Sequence, residues 1–142
     1  MVETYRDFIR LPSAHRAYAT FLRGVAYSSS AVAFHCTAGK DRTGWAAAVT
    51  QMFAGVDDSS IRSDYLASNE RTRAMFTPML EAFAAAGGDA DALATVMEVH
   101  TDYLEAAVTL MTSTYGDLAG YLRHGLGLGD DDLTALYNRL VV

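Results

Sequence analysis

Residues 35–44 read HCTAGKDRTG and hold the only cysteine of the 142-residue chain. Cys36 and Arg42 are separated by five residues, with Gly39, Thr43 and Gly44 around them. This spacing suits covalent hydrolysis of a phosphate monoester. The nucleophile must be ionised near neutral pH, and a cysteine achieves this at a helix N-terminus or beside cations. The transferred group carries charge on three equatorial oxygens, which backbone amides of a tight loop can hold. Thr37, Ala38, Gly39, Lys40, Asp41 and Arg42 would supply those amides, and Gly39 permits the curvature. The Arg42 guanidinium offers two parallel hydrogen bonds to a phosphoryl group. Thr43 can donate a hydrogen bond to the departing thiolate, Gly44 lets the following helix pack closely, and His35 can order the loop backbone. The six fixed identities of His-Cys-x-x-Gly-x-x-Arg-Thr-Gly arise by chance at roughly one in 10^8 positions. The competing reading is a buried thiol beside an ordinary turn, a common fate for a free cysteine.

Expelling an alcohol or phenol oxygen also benefits from a proton donor. Asp41, inside the loop, is the first candidate; the alternative is an ion pair with Lys40 or another cation. Lys40 adds charge at the rim, suited to a polyanionic substrate, or is a solvated lysine. Asp57, Asp58 and Asp64 read as helix caps and solvated charges. His15, His100 and His124 are isolated, with no metal-ligand spacing among them, so no metal or other cofactor is expected. Trp45 and Tyr65 read as core aromatics.

The loop needs a strand before it and a helix after it. Residues 31–35, AVAFH, read as a short buried strand, and TGWAAAVTQMFAG as an alanine-rich helix ended by Gly55. Upstream, Pro12 and Ser13 open a helix with Ala14, Ala17, Tyr18, Phe21, Leu22 and Val25 on one face. Everything beyond Val56 reads as helical. Asp58 and Ser59 can cap one helix, Asn69 a second that Pro78 kinks or splits, and Asp89 or Asp91 a third. Met75, Phe76, Met79, Leu80 and Phe83 form an apolar run, read as a core face, with a lid over the pocket as the alternative. One strand cannot satisfy its own backbone. A second strand near YRDFIRL, another chain, or protein outside this sequence must partner residues 31–35.

Length and a hydrophobic content of 51% suit one compact domain over residues 1–142. The net charge of −6 argues against a broad nucleic-acid surface, though a local pocket can still be positive. A lone cysteine excludes an internal disulfide and a Cys-based zinc site. No apolar run reaches the ~18–20 residues of a membrane span, and residues 1–12 lack a signal-peptide pattern. A cytoplasmic location is expected, with export lacking a classical signal as the alternative.

The loop resembles that of the cysteine-dependent protein tyrosine phosphatases, HCxxGxxRTG, and GKDRTG resembles their bacterial lipid-phosphatase-like branch. SDYLASNE and YLEAAVTLMTSTYGDLAGYLRHGLGL are similar to the same branch. The resemblance runs from about Tyr5 to the C-terminus. It implies an α/β phosphatase-type domain in which Cys36 attacks phosphorus, Arg42 binds the phosphoryl group, and water hydrolyses the phosphocysteine without a metal. The implied substrate is a phosphotyrosine protein or another phosphomonoester, including phosphoinositides. Family members carry a substantial portion before this region that supplies most of the central sheet. The expectation is therefore a C-terminal portion of such a domain with an incomplete sheet. Self-association or an upstream segment would then pair with residues 31–35. Two other classes compete: a phosphate- or partner-binding module without useful turnover, and a rhodanese-like or arsenate-reductase-like thiol enzyme.

Overall fold

The computed structural model describes residues 1–141. Among these residues all regular structure is helical. The first helix, α1 (Val2–Arg10), turns Tyr5, Phe8 and Ile9 inward, the i, i+3, i+4 set of one helical face. Glu3 in its first turn and Arg10 in its last suit the helix dipole. Leu11 is extended, as expected before a proline, and Pro12 opens α2 (Pro12–Tyr27). The YRDFIRL segment is thus helical, which corrects the expectation of a second strand there. Its apolar residues recur every three to four positions, a period no strand can bury on one face.

The central helix is α3 (Asp41–Phe53), which begins two residues before Thr43. It buries Trp45, Ala46, Ala48 and Val49, and Trp45 is fully enclosed. The small alanines let neighbouring helices approach, and the Trp45 indole N–H donates to the Tyr121 hydroxyl at 3.4 Å. The long α4 (Asp58–Ala85) follows, then α5 (Ala90–Met97), α6 (Thr101–Tyr115), a short α7 (Leu118–Gly120) leading into a π-helical turn over Tyr121–Gly125, and α8 (Asp130–Leu140). Packing pairs α1 with α6 and α2 with α8. Arg23 fastens the second pair by donating to Asp132 at 2.9 Å and to the Gly127 carbonyl at 2.8 Å.

Several local expectations change. Asp57, rather than Asp58 or Ser59, caps α4, accepting from the Ser60 amide at 3.0 Å. Asn69 caps nothing: it lies inside α4, where its amide donates to the Val99 carbonyl and its oxygen accepts from the Val99 amide, at 2.9 and 2.7 Å. Helix α4 runs through Pro78 without a break. Asp89 caps α5, as its position predicts. Met75, Met79 and Phe83 are exposed rather than part of the core.

The largest correction concerns residues 31–35. They form no strand and lie exposed, with Val32 and Phe34 open to solvent. No backbone–backbone hydrogen bond engages them among the described residues. The physical reason is the one that raised the problem: a strand exists only as part of a ladder, and the helices offer it no edge. The α/β expectation is accordingly replaced by an all-helical architecture for the described residues.

Candidate active site

The loop leaves the exposed segment at His35 and closes at the first turn of α3. Gly39 takes φ of +72°, a left-handed conformation that L side chains resist. The chain then turns so that the Gly44 amide donates to the Lys40 carbonyl at 2.7 Å, starting the helix. A Cβ on Gly44 would stand 3.0 Å from two Tyr65 ring carbons. The glycine therefore sets how closely α3 approaches α4.

Cys36 is half-buried and free. Burial pushes its thiol pKa up. The Thr43 hydroxyl and the backbone amides of Thr43, Gly39 and Ala38 together outweigh burial and bring the pKa down to about 7. Thr43 Oγ1 is itself buried and has no other hydrogen-bond partner, so its hydroxyl is free to serve the sulfur. The Arg42 guanidinium is exposed and braced by one bond, Nη2 donating to Thr37 Oγ1 at 3.0 Å. Most of its donors are left for a ligand. His35 places Nδ1 3.0 Å from the Cys36 carbonyl oxygen.

The loop has two faces. Cys36, Arg42, His35 and Thr43 open onto a cavity of about 580 Å³. Its other walls come from α1, α2 and Phe34, and are largely apolar. Gly39, Lys40, Thr43 and Gly44 line a second cavity of about 140 Å³ on the side toward α4. Lys40 is buried there rather than standing at the rim of the Cys36 cavity. Its ammonium donates to the carbonyls of Val96 and Met97, at 3.2 and 2.8 Å, at the end of α5, where a cation suits the dipole. It also lies 5.9 Å from the Phe76 ring centre.

Asp41 lies apart from the large cavity. Its Oδ1 accepts from the Tyr5 hydroxyl at 3.0 Å, and its Oδ2 is 3.7 Å from the Lys40 ammonium. Tyr65 in turn donates to the Tyr5 oxygen at 2.7 Å. Burial, foremost, and the neighbouring phenol and carboxylate push the Tyr5 pKa far up, so its proton stays on oxygen and ties α1 to the loop. The sequence reading had missed the residues that α1 and α2 bring to the cavity, among them Thr4, Asp7 and Tyr18. Burial raises the Tyr18 pKa, with Arg42 lowering it and Cys36 raising it, so its phenol senses both loop residues. The signal was present as the stripe Thr4, Asp7, Phe8, Leu11, but it is visible only once this segment is read as a helix.

A half-buried thiol with depressed pKa, encircled by amides at a helix N-terminus and followed by an exposed guanidinium, suits cysteine-based phosphoryl chemistry. The chain belongs to the tyrosine phosphatase family, whose sequence profile matches it over residues 1–142. It is 36% identical, over 127 residues, to a candidate tyrosine-protein phosphatase of Cupriavidus necator, covering 89% of this chain and 45% of that protein. It is 34% identical, over 134 residues, to the triple specificity protein phosphatase PtpB of Mycobacterium tuberculosis, covering 87% of this chain and 48% of that one. The chain thus spans about half the length of both relatives. No described helix is long and apolar enough to cross a membrane, and no cluster of acidic, histidine and cysteine side chains among the described residues has the geometry of a metal site.

Proposed function

We propose that this chain hydrolyses phosphate monoesters through a phosphocysteine intermediate. The observation that carries the reading is the Cys36 thiol, held near a pKa of about 7 by the amides of its own loop and the Thr43 hydroxyl, in one cavity with Arg42. Cys36 is the nucleophile. The amides from Thr37 to Arg42 and the Arg42 guanidinium bind the phosphoryl oxygens and favour the transition state. Thr43 stabilises the thiolate as it departs from phosphorus. Asp41 and Lys40 hold the loop against α1 and α5.

Phosphotyrosine in a protein is the substrate we favour, because the cavity around Cys36 is wide and largely apolar. The triple specificity named for the mycobacterial relative supports a range wider than one substrate, and phosphoserine, phosphothreonine and phosphoinositides are the further substrates of our reading. The free thiol calls for a reducing setting, which supports a cytoplasmic location. The test is turnover of an aryl phosphate in the presence of a chelator: activity should vanish in Cys36→Ser. Equal turnover in Cys36→Ser would sink the reading.

A second reading rests on the exposed, unpaired segment at 31–35. The chain would bind phosphate at the loop and associate through that segment, with turnover near background. Oxyanion binding with no chemistry, together with concentration-dependent association, would favour it.

A further inference from the structure

Arg42 stands in the first turn of α3, with its side chain exposed. A free arginine samples many rotamers, and freezing one on a ligand costs entropy. Among the described residues no acidic side chain forms an ion pair with it. Its side-chain partner is Thr37, whose Oγ1 accepts from Nη2 at 3.0 Å across the loop. Three properties of this contact fit a brace. The acceptor is neutral, so it orients the guanidinium without cancelling the charge that a phosphoryl group needs. Nη2 carries two N–H groups, one on each forked edge, so using one leaves the other edge whole for two parallel bonds. Threonine is β-branched, which restricts χ1 and fixes where the oxygen stands.

We propose that the Thr37 side chain is a positioning residue that sets the Arg42 guanidinium for the phosphoryl group, a role that rests on the phosphatase reading of this loop. Thr37 acts through Arg42 rather than on the substrate: the walls of the Cys36 cavity include Arg42 but not Thr37. The sulfur is served by other groups. Burial raises the Cys36 pKa, and Thr43, Gly39 and Ala38 bring it down, whereas the Thr37 hydroxyl is directed to Arg42. Removing that hydroxyl should therefore weaken phosphate capture while leaving the thiol ionised as before. Holding the guanidinium in place before the ligand arrives spares the entropy of ordering it on binding.

The experiment measures how inorganic phosphate protects Cys36 from iodoacetamide in the full chain, which needs no turnover, beside kcat/KM for phenyl phosphate. In Thr37→Val the phosphate concentration for half-protection should rise roughly tenfold, and kcat/KM should fall by a similar factor. Thr37→Ser should recover most of both. The alkylation midpoint without phosphate should stay near the wild-type value of about 7, which a merely distorted loop would not allow. In an Arg42→Ala background, Thr37→Val should change either quantity by less than about twofold. Several results overturn the assignment while leaving Cys36 as nucleophile: no protection of wild type by phosphate, unchanged protection and rate in Thr37→Val, or a loss that persists in the Arg42→Ala background. A midpoint that rises with the loss, or a Thr37→Ser variant as weak as Thr37→Val, does the same. If wild type and Cys36→Ser turn over alike, the phosphatase reading itself falls, and the Thr37 assignment falls with it.

Discussion

The sulfur of Cys36 is governed by opposing effects of comparable size. Burial favours the neutral thiol, whereas four donors favour the thiolate and prevail. The alkylation rate with iodoacetamide should therefore rise with pH through a midpoint near 7. A midpoint near the ordinary ~8.5 would mean that the donors are not engaged. In Thr43→Val the midpoint should move up, because a donor to the sulfur is lost. The sign for stability follows from the same shift. The folded state favours the thiolate, so the contribution is full above the unfolded thiol's pKa and is lost as pH falls through about 7. Arg42→Ala should lower kcat/KM on an aryl phosphate by on the order of 10²–10³-fold, as removal of a transition-state donor does, while leaving the alkylation midpoint close to that of wild type. The residues of this loop were legible because each identity answers a chemical demand at fixed spacing. Asp41 and Lys40 were harder. A carboxylate and a cation in a phosphate loop suggest contact with substrate, and only the positions of Tyr5 and the α5 carbonyls reveal that they face inward.

At the scale of elements, the loop is held by what surrounds its two glycines. Gly39→Ala must place a Cβ at φ of +72°, costing about 1–2 kcal/mol. The amides that face Cys36 should then shift and raise the thiol pKa. Gly44→Ala brings a methyl group to 3.0 Å from the Tyr65 ring, and overpacking of this kind costs about 1–3 kcal/mol. Urea denaturation of both variants measures these losses, and neutral substitution at both positions would refute the packing account. Lys40→Met should loosen α5, since two carbonyls lose a charged donor, with hydrogen exchange in residues 90–97 as the readout. Most helices were legible from periodicity and caps. The segment at 31–35 was misread because its continuous apolar run, Ala31 to Phe34, is sound sequence for a buried strand, yet pairing depends on neighbours outside the segment. Asn69 was misread for a related reason: its polar side chain serves the Val99 backbone thirty residues away.

For the whole molecule, one buried cluster gathers residues from α1, α2, α3, α4, α6, the π-helical turn and α8. Trp45 lies fully enclosed within it, bonded to Tyr121, so Trp45→Ala should cost about 3–5 kcal/mol, read as a lower urea midpoint. Because α3 also carries the loop, the same variant should lose the low thiol pKa well before it is globally unfolded. The central claim is that Cys36 performs covalent phosphoryl transfer. The measurement that tests it most directly is steady-state hydrolysis of an aryl phosphate by the chain and by its Cys36→Ser variant at equal folding. The account predicts turnover in the first and none above background in the second. Equal rates in the two would contradict it.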